Sequence, residues 1–140
     1  MTTGLFPFGT RLIDPQDVAR LSQAQLTSLN QTTGTIPANI IAGGDIVVCI
    51  TTNATPGTQT TRTAAQLYAD DATAYPGQTY LLRIANSGAG TLTLAGGSGV
   101  TVTGTATVAT NTFRDFIVAY GGTAQAPTVT ITNIGLGTYT

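Results

Sequence analysis

The chain contains no lysine, glutamate, histidine or tryptophan, has one cysteine, and carries only 8% charged residues in 140, about a third of the roughly 25% usual for soluble domains. Each absence excludes a class of chemistry. Without histidine there is no imidazole base or imidazole metal ligand, and without lysine no Schiff-base amine. A lone cysteine, Cys49, closes no intrachain disulfide, so the thiol count does not point to an oxidising compartment. It sits in Ile46–Ile50, where it reads as a small hydrophobe.

All five basic residues are scattered arginines and the net charge is −1, which lacks the clustered basic surface a nucleic-acid phosphate backbone demands. No run approaches the roughly 18 apolar residues of a membrane span, and the N-terminus Met1–Phe8 lacks the basic n-region of an export signal. The expectation is a soluble, non-enzymatic protein with no cofactor, no metal, no nucleic acid and no membrane partner.

What is abundant is threonine, with 30 residues, and glycine, with 17. Threonine hydroxyls must then carry solubility, and such sparse charge repulsion suits a protein that works inside an assembly. A chain of this length buries roughly 68–70% of its unfolded surface, enough for one core without metal or disulfide support.

Residues 1–44 read differently from 45–140. Leu5, Phe6 and Phe8 are interrupted by Gly4, Pro7 and Gly9, so no continuous element can bury them. Asp14-Pro15-Gln16-Asp17 then marks a helix start, with a capping residue, proline at the first helical position and an acid two residues on. Val18, Leu21, Leu26 and Leu29 give it an imperfect apolar stripe, so the helix is short. The segment reads as an N-terminal arm.

From Asp45 the apolar period becomes two. Ile46–Ile50 is apolar on both faces and reads as a central, doubly covered strand. Thr52–Thr58 is polar, and Thr63 caps one or two helical turns through Ala69. Strands follow at Thr79–Asn86, Thr91–Ala95, Val100–Ala109, Thr112–Tyr120 and Ala126–Ile134, separated by Pro76-Gly77 and the glycine runs 88–90 and 96–99. About six closely spaced strands predict a mainly β fold, a small antiparallel β-sandwich or jelly-roll-like barrel with one or two short helices. No regular repeat is visible, which argues against a β-helix.

Few residues suggest chemistry. Asp70-Asp71 reads as a solvated turn, because no calcium-loop pattern surrounds the pair. The glycine runs lack the following helix and lysine of a phosphate loop. Tyr68, Tyr75, Tyr80 and Tyr120 would make a glycan-stacking platform only if they met on one surface. Arg114 and Asp115 leave opposite faces of one strand, so each needs another partner, within the domain or across an intersubunit salt bridge.

The run Thr61-Arg62-Thr63-Ala64-Ala65-Gln66-Leu67, followed by Leu82–Leu94 and Gly99–Thr107, resembles a segment recurrent in tailed-bacteriophage virion proteins. It continues through Asn111-Thr112-Phe113-Arg114-Asp115-Phe116 and ends in the strand Val129–Gly135, so the resemblance covers residues 60 to 135. It implies a virion structural protein, most like a capsid cement or decoration protein. Such a protein is a homotrimer that binds the major capsid protein on the outer capsid surface, after synthesis in the host cytoplasm. A tail, fibre or head-spike component with a receptor- or glycan-binding role is the alternative. On this reading Leu5, Phe6, Phe8, Leu12 and Ile13 are the capsid-binding contacts of the arm. At about 25 cal/mol per Å² of apolar surface, docking them contributes several kcal/mol before ordering costs.

Overall fold

A computed structural model of the chain describes residues 25–41, 46–52 and 54–138. The two-residue apolar period dominates it. The strands are β1 (Gln25–Leu29), β2 (Gly34–Thr35), β3 (Ile46–Ile50), β4 (Gly57–Thr60), β5 (Thr79–Asn86), β6 (Leu92–Ala95), β7 (Val100–Thr103), β8 (Thr107–Val108), β9 (Thr112–Gly122) and β10 (Pro127–Thr138). One helix, α1 (Ala64–Asp70), stands between β4 and β5 among the described residues. Its N-terminus is a reciprocal capping box. The Gln66 amide donates to Thr63 Oγ1 at 3.2 Å, and the Thr63 amide donates to Gln66 Oε1 at 3.1 Å.

The fold is mainly β, in two mixed sheets. One has six strands in the order β1-β3-β5-β9-β10-β7, the other four in the order β2-β4-β6-β8. Up to β6 the chain alternates between them, so that β1, β3 and β5 align in parallel in the large sheet and β2, β4 and β6 align in parallel in the small one. The expected all-antiparallel pairing is therefore corrected: antiparallel pairs join β5 to β9, β9 to β10 and β6 to β8, while β7 runs parallel to β10. Three rungs stack as in a parallel coil. The repeat is hidden from the sequence because Gln25 faces Ile46, 21 residues on, whereas Ile46 faces Leu82, 36 residues on, across the stretch that holds α1.

Rung stacking also explains the glycine-rich turns. Ser87–Thr91 carries the chain from one sheet to the other and is not a hairpin. A Cβ on Gly88 would lie 2.1 Å from the Thr52 backbone, and one on Gly57 would lie 1.7 Å from the Thr32 carbonyl oxygen. Fully buried Asn86 ties these turns together. Its Nδ2 donates to the Gly90 and Val108 carbonyls at 2.7 and 3.0 Å, while its Oδ1 accepts from the Gly88 amide at 3.0 Å. Buried Gln59 does the same one rung away, donating to the carbonyls of Gln31 and Thr32 at 3.2 and 2.9 Å. These bonds satisfy backbone groups that burial would otherwise strand.

One core serves both sheets. Ile46, Val48, Ile50, Leu82, Ile84, Phe116, Val118, Val129 and Ile131 come from the large sheet, and Leu92, Leu94 and Val108 from the small one. Ile36 and Ile41 belong to the same core. Together with the β1–β3 pairing this moves the boundary of the expected arm: residues 25–41, including Leu26 and Leu29 of the expected helical stripe, belong to the β body. The helix start at Asp14 lies outside the described residues. Val100–Ala109 is likewise two strands, because Gly104 (φ +81) breaks it.

Candidate interaction surface

Strand alternation decides what the large sheet presents away from its core. Register places Leu26 beside Val47, Val47 beside Arg83, Arg83 beside Asp115, and Leu81 beside Ile117. Cys49, Ala85 and Phe113 form a second row. The side chains are half-buried except Leu26, which is 73% exposed. Toward β10 and β7 the surface turns from apolar to hydroxyl, with Thr130 beside Thr101 and Thr132 beside Thr103.

The charge on this face is neutralised internally. Arg83 Nε donates to Asp115 Oδ1 at 2.7 Å and Nη2 to Oδ2 at 2.8 Å, a bidentate pair. The Arg83 guanidinium also lies 4.0 Å from the centroid of the Phe113 ring. Gly137 leaves room for the tip of that ring, since a Cβ there would lie 2.2 Å from Phe113 Cζ. The Asp115 hydrogen bonds hold the Arg83 pKa above its ordinary value, against the opposing effect of burial and with help from the Asp115 charge. With both side chains partly exposed, the pair contributes at most about 1 kcal/mol.

The small sheet presents threonine instead. Thr35 lies beside Thr60, Thr58 beside Thr93, and Thr93 beside Thr107, all on the side away from the core.

The residues singled out in the sequence fall as follows. Asp115 finds a partner within the chain, in Arg83, and Arg114 Nε donates to the Thr107 carbonyl, so each of the two has a local partner. Sequence reasoning missed Arg83 because it stands 32 residues from Asp115 and only sheet register joins them. Asp70 is not solvated but pairs with Arg62, at 2.8 Å from Arg62 Nε. Asp71 is buried, and its Oδ1 accepts from the Thr73 amide at 2.9 Å and the Thr73 hydroxyl at 2.7 Å. Tyr68 and Tyr80 each pack on Tyr120, with ring centroids 4.8 and 5.9 Å from it, whereas Tyr75 stands exposed, so the four do not form an outward platform.

Burial raises the Tyr120 pKa above its ordinary value. The Tyr80 hydroxyl works against that rise, and the charges of Asp71, Tyr68 and Asp70 add to it. Cys49 is half-buried on the outer row, 3.8 Å from Ser87 Oγ, rather than in the core. Leu5, Phe6, Phe8, Leu12 and Ile13 lie outside the described residues.

The described body thus presents sheet faces and strand edges. Compared with protein-family models, curated proteins and solved structures, the chain matches none.

Proposed function

We propose that this chain is a non-enzymatic structural component of a tailed-phage virion, a cement or decoration protein that binds the outer capsid surface as a homotrimer and bridges major capsid protein subunits. The observation that carries this reading is the outer face of the large sheet. It is apolar toward β1 and hydroxyl-bearing toward β7, with the Arg83–Asp115 pair neutralised internally. A face of that kind suits a broad, shape-fitted contact, in which added interface area is the whole mechanism. The resemblance of residues 60 to 135 to virion proteins supplies the identity of the partner.

In this reading Leu5, Phe6, Phe8, Leu12 and Ile13 make the apolar contacts to neighbouring shell subunits. Repetition in a trimer multiplies the attachment through effective concentration.

The test is the copy number of this chain relative to the major shell protein in purified particles, by quantitative mass spectrometry. A ratio near one, or one trimer per shell threefold, is expected. A few copies per particle would instead indicate a tail, fibre or spike component, and absence from the particle would overturn both.

A further inference from the structure

The large sheet ends in a step. β7 pairs with Val129–Thr132 of β10 and no further. Beyond it the chain turns away at Gly104 (φ +81), and Asn133 Nδ2 donates to the Thr105 carbonyl at 2.8 Å. From there β10 remains paired with β9 on one side and has no strand on the other among the described residues. The bulge between Asn133 and Gly135 marks the step, and Gly135–Thr138 continue in regular register against β9.

Such an edge leaves alternate backbone N–H and C=O groups free to pair with another chain. Folded proteins ordinarily guard it with charge or proline. Here the guard is missing. No charged residue follows Asp115, residues 133–138 include no proline, and Ile134 and Leu136 stand 55% and 59% exposed. At the opposite edge of the same sheet, β1 has no further strand beside it among the described residues: Gln25–Leu29 carries no charge, and Leu26 is the most exposed of the large apolar side chains described.

We propose that these two edges are the halves of one interface, in which residues 133–138 of β10 pair with β1 of a second copy of this chain. A five-residue strand fits a six-residue step, and the sheet then continues from one molecule into the next, taking Leu26, Ile134 and Leu136 out of water. The occupant is a second copy because this chain itself carries an edge, unpaired among the described residues, that matches the step in length, in lack of charge and in exposed leucine. The two edges are different surfaces, so the contact is head to tail and generates a ring where the rotation closes. The inference adds an interface to the proposed homotrimer but rests on the edges alone, and stands whether or not the chain belongs to a virion.

Sedimentation equilibrium of the full chain, compared with Leu136→Lys and Leu26→Lys, tests it. The wild type is expected to self-associate, and each variant to weaken that association at least about tenfold, because a lysine now guards one edge. Both positions are solvent-exposed, so circular dichroism should stay that of the wild type. An equimolar mixture of the two variants should form heterodimers, since each retains the edge the other lacks. A monomeric wild type, variants that assemble normally, or loss of assembly in Leu136→Lys alone would each overturn the pairing. Should a variant fail to fold, hydrogen exchange on the wild type decides. Amides of residues 133–138 that point away from β9 must be protected when associated and exposed on dilution; equal exchange of those amides in both states would sink the proposal.

Discussion

Gly57 and Gly88 lie where one rung passes over the next, and neither leaves room for a methyl group. Substituting alanine forces the stacked turns apart, so Gly57→Ala and Gly88→Ala should each cost about 3 kcal/mol. Gly34→Ala, whose nearest neighbour to a new Cβ is the Gln31 side chain at 3.6 Å, should stay within about 1 kcal/mol of wild type. Urea denaturation midpoints of the three variants check this, and equal losses would contradict the stacking argument.

Tyr120 gives a second prediction at this scale. Burial raises its pKa in the folded protein above the ordinary 10.0, so the folded state holds the phenol proton more tightly than the unfolded chain does. The associated stability is fully present below pH 10 and is lost as pH rises through the folded value. Tyr120→Phe should flatten that alkaline decline in denaturant midpoints measured on either side of pH 10; an unchanged slope would assign the decline elsewhere.

Among the elements, α1 shows how local chemistry survives an unusual setting. Its seven residues are too few to form a helix alone in water. The Thr63–Gln66 box, the burial of Ala64 and Leu67, and the Arg62–Asp70 pair reaching along the helix hold it in place. Thr63→Ala should cost about 1 kcal/mol, whereas Thr63→Ser, which keeps the accepting oxygen, should lose little. Thermal unfolding of the two variants separates the cap from mere side-chain loss. The strands follow the same logic at period two: β3, β5 from Tyr80 on, and Phe116–Tyr120 of β9 alternate buried and half-buried side chains, as their sequences require.

At the scale of the molecule, the boundary between arm and body is the feature most open to experiment. Residues 25–41 supply an edge strand and the buried side chains Ile36 and Ile41. Deleting residues 1–24 should therefore leave the unfolding midpoint close to that of the full chain while abolishing particle attachment, if the apolar N-terminal residues make the shell contacts. Deleting residues 1–44 removes β1, β2 and part of the core, and should unfold the body or lower its melting temperature by many degrees. A 1–44 truncation as stable as wild type would restore the longer arm.

The amino-acid sequence by itself determined the mainly β character, the spans of β3, β5, β6 and β9 to within a residue or two, and the cap at Thr63. These follow from alternation, capping and composition, all of which act over a few residues. It did not reveal β1, β2 or β4, which are polar or short and acquire strand character from the neighbours they stack upon. Nor did it reveal the parallel rungs, because α1 intervenes between two of them and destroys any regular spacing. The partnership of Arg83 with Asp115, the packing of three tyrosines and the open step beside β10 belong to register, a property of pairs of strands distant in the chain. Only the tertiary structure decides such pairings, since each requires two segments whose separation no local propensity encodes.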